Sequence, residues 1–180
     1  MTDELRHQIV ELLPRLRRFA YALTGTSDRA DDLVQETCLR ALSKLDQWQP
    51  GTRLDSWMYR IAQNVWFDNV RATKVRGEVV DVDTAHDLPG DDGRNVTESR
   101  LTLDIVSQAI DRLPADQQVL IALVCVDGLS YKEAAEILEV PIGTVMSRLA
   151  RARRALYEAT GRPAVRSPTT SGGNGHGRLA

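Results

Sequence analysis

The sequence predicts an all-helical protein of two small domains joined by a flexible acidic linker, and three observations carry that prediction. Apolar residues recur at three- and four-residue spacing, and no segment shows sustained two-residue alternation, so helices are expected and strands are not. Residues 78–104 hold eight acids against two Arg, with Pro89, Gly90 and Gly93 as breakers. Such a stretch cannot bury much and reads as a tether. Seven of the nine aromatics, from Phe19 to Phe67, precede residue 68, and only Tyr131 and Tyr157 follow it, so two cores of different composition are expected. These shifts place the first domain at 1–77, the linker at 78–100, the second domain at 101–160 and a Pro-, Gly- and Ser-rich tail at 161–180 that should be disordered.

In the first domain Leu12, Leu16, Phe19, Ala20 and Leu23 form one helical stripe with Gly25 as its C-terminal cap, and Pro14 should break off a short leading helix or open the main one. Ser27 or Asp28 caps a second helix whose apolar face runs from Ala30 through Leu33, Thr37, Cys38, Ala41 and Leu42 to Leu45. Asp31, Asp32, Gln35, Glu36 and Arg40 lie opposite. After the loop WQPGTRLDS, a third helix is expected over about 54–73, with Trp57, Ile61 and Val65 on its buried side.

In the second domain Leu101–Leu113 is periodic and stops at Pro114, which suits the first position of a helix reaching about Val126. Asp127-Gly128 makes a turn. Ser130 and Glu133 form a capping box that starts the helix SYKEAAEILEV. Val140–Gly143 is a tight break before the last helix, GTVMSRLARARRALYEAT.

The 180 residues are 42% hydrophobic and 27% charged, which excludes wholesale disorder and a fibrous repeat. No apolar run approaches the roughly 18 residues of a membrane helix, and the N-terminus lacks the pattern of a signal peptide, so a cytoplasmic protein without membrane insertion is expected. Cys38 and Cys125 sit in apolar or helical patterns and His7, His86 and His176 are scattered, so neither a disulfide framework nor a metal cluster is expected, and no cofactor is implied. The net charge of −2 hides an asymmetry: residues 141–180 carry seven Arg against Glu158 alone. A basic C-terminal block beside an acidic remainder fits a nucleic-acid contact, or else a solvated Arg-rich helix face.

Two helices joined by a short Pro/Gly turn, the second studded with Arg, meet the specification of a helix-turn-helix. On the last helix Val145, Leu149, Ala152 and Leu156 form the buried stripe. This leaves Thr144, Ser147, Arg148, Arg151, Arg154 and Tyr157 on or near the exposed side, with Arg153 at its edge. Small polar residues near the N-terminal turns suit base edges, and cations further along suit phosphates.

Three ordered segments, DRADDLVQETCLRAL, LDSWMYRIAQNVWFDNVR and LPADQQVLIALVCVDGLSYKEAAEILEVPIGTVMSRLARARRAL, resemble an RNA polymerase sigma factor of the extracytoplasmic-function (ECF) group in the sigma-70 family. The resemblance spans most of residues 10–76 and 101–158. It implies a sigma-2-like helical bundle, a sigma-4-like helix-turn-helix and no catalytic activity. It also implies docking on core RNA polymerase through the β′ clamp helices and the β flap, with Asp31, Asp32, Gln35, Glu36 and Leu39 on the clamp-facing helix.

The third helix and the loop before it resemble the element that melts the promoter's minus-10 region and holds one unpaired strand. Arg53, Arg60, Asn64 and Arg71 are expected there, with Trp48–Ser56 as the wall of a base pocket. Trp57 reads as core, while Trp48, Tyr59 and Trp66 remain open as stacking surfaces. The last helix would read the minus-35 element, with Ser147, Arg148 and Arg151 near bases or phosphates and Thr144 and Arg153 on the backbone. Met146 stands where Lys or Arg is common in the group. The acidic linker resembles a segment that threads the polymerase active-site channel, or is a plain tether.

The resemblance further implies a monomer when free, control by an anti-sigma factor, a stress-response setting, and neither a sigma-3 domain nor an N-terminal inhibitory region. The competing reading is a stand-alone helix-turn-helix regulator that binds duplex DNA as a stable dimer. An enzyme ranks below both, since no nucleophile-base grouping or phosphate-binding loop is present.

Overall fold

A computed structural model describes residues 3–49, 51–76 and 96–161, and for Asp3 and residues 96–103 the backbone alone. Among the described residues are seven α-helices: α1 (Asp3–Thr24), α2 (Ser27–Ser43), α3 (Leu54–Arg76), α4 (Val96–Asp111), α5 (Ala115–Ile121), α6 (Tyr131–Leu138) and α7 (Ile142–Thr160). A 3-10 turn, Leu45–Gln47, follows α2, and a π-helical turn, Ala122–Val126, continues α5. No strand occurs among them.

The expected break at Pro14 is absent, and α1 runs through it. Leu5 and Ile9 before the proline and Leu16, Phe19, Ala20 and Leu23 after it are all buried on one face, so packing holds both segments in line. Pro14 itself is exposed, and the carbonyl it cannot serve belongs to Val10, 58% exposed, where water can reach it. Gly25 ends the helix as anticipated, at φ 75° with its N–H on the Tyr21 carbonyl. The cap position of α2 is Thr26, in extended conformation, rather than Ser27 or Asp28, and its side chain makes no capping bond. Ala30, Leu33, Thr37 and Ala41 form the buried face of α2, but Leu42 is 48% exposed and leaves that stripe.

α3 is three residues longer than expected and buries a different set of aromatics. Tyr59 and Trp66 are in the core and Trp57 is only half-buried, the reverse of the reading from sequence. In a helix covered on more than one side, periodicity cannot rank adjacent aromatics, and the neighbours decide. Trp48 is half-buried against the core and its indole nitrogen is covered by protein.

α4 begins at Val96, so residues 96–100, assigned to the linker, are its first turns. Once a helix is nucleated, extending it costs little per residue, and composition alone does not mark where it starts. The rest of the linker, to residue 95, and the tail from 162 lie outside the described residues. Pro114 occupies the cap position before α5 instead of the first helical position, and its carbonyl accepts from the amides of Gln117 and Gln118. The break before α7 is Glu139–Pro141, so Ile142 and Gly143 already belong to the helix.

The two expected cores are one. Phe19, Met58 and Tyr59 of the first half and Leu120, Leu123 and Ile137 of the second belong to a single contiguous buried cluster. α1 packs on the π-helical turn and α3 packs on α6, so the two halves close on each other.

Candidate nucleic-acid interface

α6 and α7 form the helix-turn-helix. The anticipated capping box is present: the Glu133 amide donates to Ser130 Oγ at 3.2 Å, while Glu133 Oε2 accepts from the Ser130 amide at 2.9 Å and its hydroxyl at 2.8 Å. The helix ends at Glu139 in left-handed conformation (φ 54°), and the Val140 amide returns to the Ala135 carbonyl. Pro141 then caps α7 with an extended backbone that turns the chain.

On α7 Val145, Leu149 and Ala152 are buried and Leu156 is half-buried, as the stripe predicts. Ser147 and Arg151 are exposed one turn apart, with Arg151 Nε 3.4 Å from the Ser147 carbonyl. Thr144 and Arg153 are half-buried at the sides of this face. Arg148 differs: its Nε lies 3.1 Å from Asp116 Oδ2 on α5, so it braces α7 against α5 instead of projecting freely. Arg154 pairs with Glu158 at 2.9 Å along the helix.

The candidate single-strand residues on and just before α3 are not in one state. Arg53 donates to both oxygens of Asp55 (3.1 and 2.8 Å) and, through Nη1, to Glu133 at 2.7 Å. Arg60 sits at the carboxyl end of α6. It pairs with Glu139 at 2.8 Å and donates to the carbonyls of Glu136 (2.9 Å) and Ile137 (3.3 Å). A guanidinium from another part of the chain thus serves the unsatisfied carbonyls and the negative end of the helix. Asn64 is exposed. Arg71 is exposed further along and bonds Asp68 at 3.0 Å. Tyr59 cannot be a stacking platform: it is buried edge-on to Phe19, with ring centroids 5.3 Å apart, and its hydroxyl donates to Asp127 Oδ2. The Asp127 side chain is fully buried, with Arg18 Nη2 3.6 Å from its other oxygen. Burial and the Asp127 bond push the Tyr59 phenol well above its ordinary range.

The amide of Ser130, then Arg53 and then the Ser130 hydroxyl hold the Glu133 carboxyl down to about 2. A depressed carboxylate stabilises the fold at pH above its ordinary value of 4.5, and that contribution is lost as the pH falls toward 2. Urea midpoints measured from pH 6 to 2 are expected to fall less steeply across that window in Glu133→Gln than in the parent chain. An unchanged acid limb would show that Glu133 is not held this way.

The sigma-70 region 2 family matches residues 9–76, and the sigma-70 region 4 family matches residues 103–156. The chain is 40% identical over 156 residues to the ECF RNA polymerase sigma factor EcfG of Rhodopseudomonas palustris, covering 87% of this chain and 84% of that protein. The chain belongs to the ECF sigma factors. The ECF sigma-E factor of Escherichia coli is 32% identical over 160 residues, 84% of this chain and 80% of that one. Among solved structures, the sigma factor RpoE of Bartonella quintana, crystallised with the anti-sigma factor NepR, superposes with a TM-score of 0.68 at 31% identity, over 88% of this chain and 97% of that chain. This ECF sigma factor therefore has region 2 in α1–α3 and region 4 in α4–α7.

The expected clamp-facing residues lie on α2. Asp32, Gln35 and Leu39 are exposed, Leu39 by 63%. Asp31 is bound by Arg17 through two hydrogen bonds of 2.7 and 3.1 Å, which fixes α2 on α1. Glu36 binds Arg40 at 2.7 Å, and Arg40 also reaches Asp68 of α3 at 2.7 Å. A cleft between α2 and α3 brings Asp32, Glu36 and Arg40 together with Trp66, Asn69 and Arg76. The sequence reading missed Asp116, Asp127, Glu133 and Glu139 as partners of interface residues, since each meets a residue at least 32 positions away and no local pattern marks such a pair.

Cys38 is half-buried, and burial pushes its thiol up, which disfavours the reactive thiolate. Cys125 lies in the π-helical turn, a helical setting as expected, and is exposed. No helix among the described residues is long and apolar enough to cross a membrane.

Proposed function

We propose that this ECF sigma factor docks on the β′ clamp helices of core RNA polymerase through Asp31, Asp32, Gln35, Glu36 and Leu39, and uses its two halves on two promoter elements. Ser147 and Arg151 contact the minus-35 element from the outer face of α7, with Thr144 and Arg153 on the flanking phosphates and Arg148 set by Asp116. Arg53, Arg60, Asn64 and Arg71 hold the unpaired minus-10 strand. The observation that carries this reading is the exposed Ser147/Arg151 face on the second helix of a capped helix-turn-helix within region 4. Arg53 and Arg60 must leave Glu133 and the end of α6 before they can take DNA phosphates, so the closed arrangement describes the factor before it meets polymerase. Control by an anti-sigma factor is supported by the structural likeness to RpoE, which was crystallised with NepR. The protein itself carries out no chemistry in this role.

Run-off transcription with bacterial core RNA polymerase and promoter fragments from the protein's own genome tests the reading. Specific transcripts are expected. Removing the two base-reading side chains with Ser147→Ala and Arg151→Ala should reduce those transcripts by about 5- to 150-fold for each residue that reads a base, the range for 1–3 kcal/mol. Duplex binding as a dimer, with no polymerase bound and no transcript, would replace this reading with that of a stand-alone regulator.

A further inference from the structure

The outer face of α7 carries an apolar line as well as cations. Ile142 is 49% exposed, Met146 is 54% exposed and Ala150 is exposed. Four-residue spacing places the three along one side of the helix, next to the side that carries Ser147 and Arg151, with Ala150 three residues from Ser147. Isolated exposed apolar residues need no explanation. Three in register on a helix that otherwise displays Arg151 and Arg154 form a surface with two chemistries, and an occupant must satisfy both.

A protein groove would satisfy the apolar line. The surroundings favour a polyanion, because α7 carries Arg148, Arg151, Arg153 and Arg154 against Glu158 alone. Within the major groove of duplex DNA the apolar group on a base edge is the C5 methyl of thymine, and it lies beside hydrogen-bonding groups that a serine or arginine can reach. The dimensions agree. The helical rise from Ile142 to Ala150 spans about 12 Å, which matches three or four base-pair steps at about 3.4 Å each. Methionine is unbranched and polarisable, so its side chain can follow a methyl group without a fixed pocket.

We infer that Ile142, Met146 and Ala150 read thymine methyl groups in the upstream promoter element, with Met146 as the central specificity-determining residue. The inference rests on the reading that α7 enters the major groove of that element. It changes the meaning of Met146: the side chain that removes a cation from this position supplies a methyl contact in its place. Specificity at the corresponding base pairs then comes from shape and apolar contact, and only the neighbouring pairs are read by hydrogen bonds.

The test uses holoenzyme assembled from the full chain and core polymerase, on a promoter it selects from a randomised duplex library. Thymines of the upstream element are replaced one at a time by deoxyuridine, which removes the methyl and keeps base pairing and the O4 acceptor. Run-off transcription at limiting holoenzyme is expected to fall about three- to fivefold at one or two positions, the worth of a buried methyl group. With Met146→Ala the penalty at the thymine that Met146 reads should vanish, while any penalty at thymines beside Ile142 or Ala150 remains. Met146 is exposed, so this variant keeps the fold.

Equal transcription from thymine and deoxyuridine templates would overturn the inference, as would selection of an upstream element without thymine. So would a Met146→Ala holoenzyme that keeps the full deoxyuridine penalty, or one that loses transcription equally on every template, which would assign Met146 to a protein contact. If no holoenzyme forms, or if transcription ignores the upstream element altogether, the underlying promoter-recognition reading fails instead. The two failures are therefore distinct.

Discussion

Replacing Phe19 by alanine is expected to lower the unfolding free energy by about 3–5 kcal/mol, the range for deleting a buried phenyl group, and to do so for both halves of the protein together. Phe19 is fully buried and belongs to the cluster that includes Leu120, Leu123 and Ile137. It also meets Tyr59 edge-on, and Tyr59 in turn bonds Asp127. A cavity here therefore weakens packing within region 2 and undermines the ring that carries the bond to region 4. All three tryptophans lie before residue 67, so their fluorescence reports region 2, while far-UV circular dichroism reports the helices of both halves. The two signals are expected to give one coincident urea transition in the parent and again, at lower urea, in Phe19→Ala. Two separated transitions with only the fluorescence one shifted would show that the halves unfold independently and that the common core does not couple them.

Reversing the charge of Arg53 and Arg60 together, as Arg53→Glu and Arg60→Glu, is expected to open the closed arrangement. In the parent Arg53 meets Glu133 at 2.7 Å and Arg60 meets Glu139 at 2.8 Å as well as two carbonyls at the end of α6. These pairs are partly exposed and each stabilises closure by up to about 1 kcal/mol. Reversal replaces attraction by repulsion and sets a carboxylate against the negative end of a helix. The combined change is about 2–4 kcal/mol, enough to shift a two-state equilibrium by a factor of about 30 or more. Small-angle scattering should register the opening as a larger radius of gyration. Adding Glu133→Arg and Glu139→Arg to the reversed chain should restore part of the closure, since opposite charges again face each other. An unchanged radius in the reversed chain would mean that the apolar cluster alone holds the halves together, and the ion pairs only decorate its rim.

The two experiments separate the apolar and the charged contributions to a single interface, and their difference in expected size follows from solvent exposure. The Phe19 ring packs where water never reaches. The arginines exchange one set of partners for another, and water competes throughout. This asymmetry suits a factor that must open on polymerase, because a charged rim can be traded for DNA phosphates at small net cost.

Much of this was legible in the sequence because it depends on local chemistry. The helical class follows from three- and four-residue periodicity, the capping box from Ser130 and Glu133 standing three apart, and the buried side of α7 from Val145, Leu149 and Ala152. The order of three motifs sufficed for the resemblance to the ECF group, which the matches to regions 2 and 4 bear out. Pro14 misled because the cost of a proline inside a helix can be offset by packing, and here buried residues on both sides supply it. Trp57, Tyr59 and Trp66 misled because several sides of α3 meet a neighbour, so which ring is covered depends on α1, α2, α5 and α6 and not on spacing.

Hydrophobic period, capping and turn chemistry act within a few residues, so the helices and the family they compose were readable from the chain, with their ends displaced by a few residues at α2, α3, α4 and α7. Which cations are engaged depends on how the helices pack. Arg53 and Arg60 close on α6, Arg148 closes on Asp116, and Ser147 and Arg151 remain on the outer face of α7. An ion pair is set by distance in space, and residues 32, 79 or 80 positions apart become neighbours only when separate helices pack on a common core.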